Sequence, residues 1–180
     1  MTLVNPLDTP FDSSVYFYTA TIYKWQHLLV DDNRKQIIID SIKFMVNEKR
    51  INLYAFVIMP NHIHLIYSPN ENYPHSDFKR DFLKFTAQVL RNKLIETGSR
   101  ELSLYKSSQN DRNYQIWKRH SLAIPIYYAS VFKQKLEYIH LNPCQPKWAL
   151  ADFPELYLYS SAEFYKQGLD RWGILSFMDC

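Results

Sequence analysis

The sequence predicts an α+β fold, with helices packed on an antiparallel sheet, and three observations carry that prediction. Residues 15–23 (VYFYTATIY) are β-branched or aromatic almost throughout, the composition of a strand. The apolar runs at 52–58 and 62–67 are joined only by Met59-Pro60-Asn61, a link too short for a parallel crossover, so the two runs pair antiparallel. Between and after these runs lie three stretches whose apolar residues recur at helical spacing. A chain of 180 residues, 47% hydrophobic and 22% charged, is long enough to bury one core. Fourteen Tyr, eleven Phe and four Trp against three Gly favour extended aromatic segments over glycine-built turns.

Taken in order, residues 1–14 (MTLVNPLDTPFDSS) are aperiodic and read as an N-terminal arm. The first strand follows over 15–23. Asp31 and Asp32 are expected to cap a helix over 33–47, where Ile38, Ile42 and Met45 recur at helical spacing and Lys49-Arg50 close the C-terminal end. The antiparallel pair 52–58 and 62–67 comes next. Ser76 is expected to cap a second helix with an apolar stripe of Phe78, Phe82, Phe85 and Val89, ended by Thr97-Gly98. Residues 99–112 form a polar loop, and 114–126 an extended run that Pro125 ends. A third helix over 127–141 stops at Asn142-Pro143, because the residue before a proline is pushed out of the α region. The remainder, interrupted by Pro146, Pro154, Gly168 and Gly173, is expected to wrap the domain.

Several function classes fall away. The two cysteines, Cys144 and Cys180, are far apart, and there is no secretory leader and no apolar run near membrane-spanning length. A reduced, cytoplasmic chain with no membrane partner is expected. The absence of a Gly-rich phosphate loop removes kinase, ATPase and Rossmann readings. A net charge of +3 permits a polyanionic partner without demanding one.

The chemistry begins at His62 and His64. Alternate residues of a strand project to one face, so the pair has a metal-ligand spacing, although two polar-face strand histidines would read the same. On the third helix Tyr138 and Asn142 lie one turn apart on one face, where a core aromatic and an ordinary helix stop are the plain alternatives. If that helix crosses the histidine strand, two imidazoles and an amide oxygen can hold a divalent ion beside the phenol. A phenol ordinarily titrates near pH ~10 and needs such help to act as a nucleophile. Open coordination positions suit Lewis-acid work on a phosphodiester, and no cysteine pair is present to close a structural zinc site. Lys79, Arg80 and Lys84 on the second helix, and Trp117, Lys118, Arg119 and His120 in the extended run, are candidates for meeting the phosphate backbone and base faces of a nucleic acid. A solvated helix face for the first group and a charge-guarded edge strand for the second are the plain alternatives.

The segment YAFVIMPNHIHLI, followed some seventy residues later by LEYIHLNP, resembles the HUH single-strand DNA transposases that use one catalytic tyrosine, the REP-associated tyrosine transposases among them. The resemblance runs from about Tyr16 to Tyr165 and includes Trp117-Lys118-Arg119 and Tyr159-Ser160-Ser161. It implies a ferredoxin-like (RRM-like) antiparallel sheet with helices packed on it, spanning residues 15–165 between the arm and a C-terminal tail at 166–180, and usually a homodimer. It also implies that His62 and His64 bind metal, magnesium or manganese, with Asn142 as third ligand and Tyr138 as nucleophile.

The expected reaction is cleavage and rejoining of single-stranded, hairpin-bearing DNA through a 5′-phosphotyrosine. The alternatives are a non-catalytic nucleic-acid-binding module of the same fold and another HUH nickase, such as a replication initiator or relaxase. One departure stands out. Where such proteins often continue Asn-Pro with Val-Arg-Ala-Gly, this chain has Cys144-Gln145-Pro146-Lys147, so an arginine is missing and Lys147 is a possible substitute.

Overall fold

A computed structural model describes residues 10–110 and 112–178. Of the arm expected over 1–14, residues 1–9 lie outside the described residues, as does Cys180. Four strands form one antiparallel sheet: β1 (Pro10–Thr21), β2 (Ile51–Met59), β3 (His62–Pro69) and β4 (Leu122–Tyr128), in the order β2-β3-β1-β4. Helix α1 (Asp32–Asn47) follows β1, and α2 (His75–Glu96) follows β3. Each crossover therefore skips one strand, which gives two interleaved βαβ units and the ferredoxin-like architecture expected.

β1 begins five residues before the sequence pattern does, at Pro10, and its pairing with β4 shifts register between Pro10 and Val15. At its other end it yields at Ile22 to a short 3-10 turn, Tyr23–Trp25. The β2–β3 hairpin turns at Pro60-Asn61 and pairs Met59 with His62, and its register slips between Leu53 and Ala55. Pro125 does not end its run: it lies within β4, opposite Tyr16, because a sheet-edge strand has a free side on which no N–H is needed.

In the helices, Asp31 caps α1 by accepting a hydrogen bond from the Asn33 N–H (2.8 Å). Lys49 and Arg50 fall outside that helix, and Glu48 is its C-cap. Ser76 does not cap α2, since Pro74 precedes the first turn and contributes no side-chain cap. The buried stripe of α2 is Phe78, Phe82, Thr86, Leu90 and Leu94, a ridge of four-residue steps. Phe85, expected inside, is 54% exposed. Gly98 sits just past the helix at φ +59°, as a glycine terminus requires.

Phe17 and Tyr18, neighbours on β1, face opposite sides of the sheet. Tyr18 packs edge-on to Phe78 of α2, with ring centroids 5.7 Å apart, and α1 packs beside α2. Phe17 meets α3 (Ala129–Leu141), which crosses the other face over β2, β3 and β4. Asn142 does not leave the helical region as expected before a proline: it keeps φ −56°, ψ −46° and opens a 3-10 turn, Asn142–Cys144.

The C-terminal segment runs along the outer edge of β2. The Ile58 N–H donates to the Tyr159 carbonyl (2.9 Å) and the Ser161 N–H to the Phe56 carbonyl (3.0 Å). After α4 (Ala162–Gln167) the Ser176 N–H reaches the Leu53 carbonyl (2.8 Å). An otherwise open sheet edge is thus covered.

Candidate active site on the open face of the sheet

His62 and His64 open β3 on the side facing α3. Their rings stand 4.8 Å apart between centroids, and both are buried, 8% and 4% exposed. Each imidazole is held from behind. The Asn61 amide donates through Nδ2 to the Trp25 carbonyl (3.2 Å), which turns its Oδ1 toward His62, and His62 Nδ1–H donates to that oxygen (2.7 Å). An amide oxygen only accepts, so His62 carries its proton on Nδ1 and keeps the Nε2 lone pair. Across the sheet Thr19 pairs with His64, and its hydroxyl is 2.8 Å from His64 Nδ1. With that hydroxyl accepting, His64 is the same tautomer. Its Nε2 is buried and has no hydrogen-bond partner among the described residues.

Burial, reinforced by the Lys147 ammonium, pulls His62 down to about 4. Burial, then the neighbouring His62 and the ammonium groups of Lys135 and Lys147, pull His64 down to about 3. Both rings are therefore neutral near pH 7. A neutral imidazole with a fixed tautomer and an unused nitrogen is the state in which histidine binds a metal. The orphaned Nε2 of His64 thus fits a divalent cation, although no group of three or more His, Cys, Asp or Glu side chains gathers here among the described residues.

Helix α3 brings Tyr138 to this pair. Its ring stands edge-to-face on His64, with centroids 5.3 Å apart and planes at 70°, while Phe17 stacks on the same imidazole at 5.2 Å. Tyr138 is nevertheless 50% exposed. It lines a cleft of about 380 Å³ together with Thr19, Trp25, His62, His64, Lys135 and Lys147. Lys135 sits one turn before Tyr138, with Nζ 5.0 Å from the Phe17 centroid. Lys147, two residues beyond the Gln145 that stands where an arginine was expected, reaches the cleft as well. Asn142, one turn beyond Tyr138, is buried at 5% exposure, but it is not among the residues lining the cleft.

The DNA-contact candidates separate. Lys84, Trp117, Lys118 and Arg119 line a second hollow of about 670 Å³ between α2 and the 112–119 segment, which Arg91 and Arg112 also enter. Lys79 and Arg80 lie outside it, and Arg80 is paired with Asp77 (2.9 Å) and Asp81 (2.8 Å). Trp117 lines the hollow only marginally. It is 5% exposed and its indole N–H donates to Thr86 Oγ1 (2.9 Å), so it braces α2 and does not present a stacking face. His120 is exposed and lines neither space.

Sequence reasoning missed Thr19, Asn61, Lys135 and Trp25. Lys135 was within reach, three residues before Tyr138 on the same helical face, and Asn61 stands beside His62. Thr19 and Trp25 depend on strand register and loop path, for which a single sequence carries no signal.

This architecture is that of HUH-type single-strand DNA endonucleases and strand transferases. The chain belongs to the IS200-like transposase family, whose profile matches residues 13–118, a span that contains both histidines and ends before Tyr138. Among solved structures, a REP-associated tyrosine transposase bound to a REP hairpin superposes with a TM-score of 0.62 at 16% identity, covering 99% of this chain and 96% of that one. At that identity the likeness establishes the fold. A putative transposase from Deinococcus radiodurans R1 aligns with a TM-score of 0.48 at 14% identity, covering 77% of this chain and 95% of that one. No curated protein matches.

Proposed function

We propose that the protein cleaves and rejoins single-stranded DNA through Tyr138. The observation that carries this reading is the 5.3 Å approach of the half-exposed Tyr138 ring to a buried, neutral His64. Tyr138 Oη gives up its proton to solvent as it attacks the scissile phosphorus. The P–O3′ bond breaks, the 3′ oxygen leaves as a hydroxyl after taking up a proton, and the 5′ phosphate stays on the tyrosine as a diester. Because one phosphodiester replaces another, a second 3′-hydroxyl can reverse the step onto new DNA, so cleavage and joining share one chemistry.

His62 and His64, through Nε2, would hold a divalent ion, Mg²⁺ or Mn²⁺, with Asn142 as the proposed oxygen donor. When bound, that ion supplies Lewis-acid neutralisation of charge on the scissile phosphate. Lys135 and Lys147 flank the same cleft and attract and orient the phosphate before reaction.

The substrate proposed is hairpin-bearing single-stranded DNA in the cytoplasm, a reading supported by the hairpin in the structure of the REP-associated relative. A homodimer is proposed on the side of β4, the terminal strand of the sheet. Leu122, Tyr127 and Tyr128 there are 54%, 62% and 43% exposed, a strand edge fit for pairing with a second copy. The test is incubation with labelled single-stranded DNA from the gene's own flanks and Mn²⁺. A denaturation-resistant protein–DNA adduct that disappears in Tyr138→Phe is expected. DNA binding without any adduct would leave only a binding module, and an adduct that persists in Tyr138→Phe would remove Tyr138 as the nucleophile.

A further inference from the structure

Beside the mouth of the cleft the backbone takes a disfavoured path. Lys24 and Trp25 both adopt left-handed conformations, φ 53° and 59°, which residues bearing a Cβ avoid. The turn is held in place. The Trp25 N–H donates to the Ile22 carbonyl (3.0 Å), the Tyr23 N–H to the Ile116 carbonyl (2.7 Å) and the Ile22 N–H to the Asn61 carbonyl (2.8 Å). Asn61 Nδ2, from the residue that orients His62, donates to the Trp25 carbonyl.

This conformation holds a large aromatic ring out of the core. Trp25 is 55% exposed, whereas Trp117 is 5% exposed, and the indole nitrogens of Trp148 and Trp172 are buried. The Lys118 ammonium lies 4.4 Å from the Trp25 ring centroid. Trp25 lines the histidine cleft and Lys118 the basic hollow beside α2, so this cation–aromatic pair joins the two spaces. An exposed indole at the junction of a basic hollow and the lysine-flanked histidine cleft has the makeup of a single-strand stacking platform: charge for the backbone, a π-face for the base.

We propose that Trp25 is a stacking shelf for one unpaired nucleobase of the DNA strand beside the scissile phosphate, with Lys118 holding the adjoining backbone phosphate. The assignment rests on the strand-transfer reading above. A stacked base is read by its face and not by its hydrogen-bonding edge, so the nucleotide on the shelf is tolerated in any sequence, and the strand has to be unpaired there.

The experiment separates stacking from chemistry. Tyr138→Phe protein, which cannot form the adduct, is titrated by fluorescence anisotropy with labelled oligothymidylate of about twelve nucleotides and with a base-free strand of the same length. In that background Trp25→Ala is expected to weaken oligothymidylate binding about 5- to 100-fold. Trp25→Phe should stay within a few-fold of the parent, and all three proteins should bind the base-free strand alike. Equal oligothymidylate affinity in Trp25→Ala, or an equal loss on the base-free strand, overturns the shelf. Trp25→Phe keeps an aromatic ring, so a shelf also fails if Phe binds as weakly as Ala while circular dichroism shows both folded. Adduct formation in the protein with Tyr138 intact is scored separately. Adduct without Trp25-dependent binding sinks the shelf alone, and Trp25-dependent binding without adduct sinks the chemistry alone.

Discussion

The ring of Tyr138 stands edge-to-face on the imidazole of His64 with 5.3 Å between centroids, and both belong to one chain. A single polypeptide therefore brings the proposed nucleophile to the proposed metal-binding pair. Mixing two inactive variants, His64→Ala and Tyr138→Phe, is accordingly expected to yield no adduct. Recovery of adduct on mixing, rising toward about a quarter of the wild-type yield as subunits exchange, would mean that the tyrosine serves a partner's histidines instead.

Asn61 and Thr19 act on the histidines from behind: the Asn61 amide oxygen keeps the His62 proton on Nδ1, and the Thr19 hydroxyl orients the His64 ring. Removing such an orienting group typically costs about 10- to 100-fold in metal affinity or activity. Asn61→Ala and Thr19→Val are expected to lie in that range by Mn²⁺ titration, with unchanged circular dichroism. Asn61→Asp should bind Mn²⁺ better than Asn61→Ala, since a carboxylate still accepts from His62 Nδ1–H. Wild-type Mn²⁺ affinity in both neutral variants would show that the rings need no support.

Stability should fall on mild acidification in the metal-free protein. His140 Nε2 is 2.9 Å from Ser161 Oγ, its ring lies against Tyr165, and burial pulls it down to about 4. His62 and His64 are lowered for the same main reason, to about 4 and about 3. Above pH ~6.5 these rings are neutral in folded and unfolded chains alike. Below it the unfolded chain takes up protons that the folded chain refuses, so stability declines until the folded values are reached. At about 1.4 kcal/mol per pKa unit, His140 alone accounts for roughly 3–4 kcal/mol over the whole window. Urea midpoints should drop between pH 6.5 and 4 and drop less in His140→Gln; a flat profile would place these rings in water.

Much of this arrangement was legible beforehand. The Met59-Pro60-Asn61 link dictates a hairpin, alternation puts His62 and His64 on one face, and a four-residue step puts Tyr138 and Asn142 on another. What sequence cannot supply is pairing between distant segments. Thr19 supports His64 only because β1 lies beside β3 in a particular register, and Trp25 is exposed only because the turn after β1 is pulled over by Asn61 and Ile116. The stripe of α2 was misjudged for a related reason: hydrophobicity favours Phe85, yet the buried position goes to Thr86, whose hydroxyl receives an indole from another segment.

That hydroxyl yields a prediction about Trp117. Thr86 Oγ1 donates to the Phe82 carbonyl (2.7 Å) within its own helix while accepting from Trp117 Nε1 (2.9 Å), and Thr86 is fully buried. Thr86→Val keeps the shape but leaves the indole N–H without a partner, at a cost of about 1–3 kcal/mol. Trp117→Phe removes the donor and some packing. With both changes no unpaired donor remains, so the double variant should be about 1 kcal/mol more stable than the sum of the singles implies. Strict additivity in urea unfolding would show that the bond contributes nothing. If Trp117 braces α2 and does not stack on DNA, Trp117→Phe should also bind oligothymidylate as the parent does, in contrast to the loss expected for Trp25→Ala.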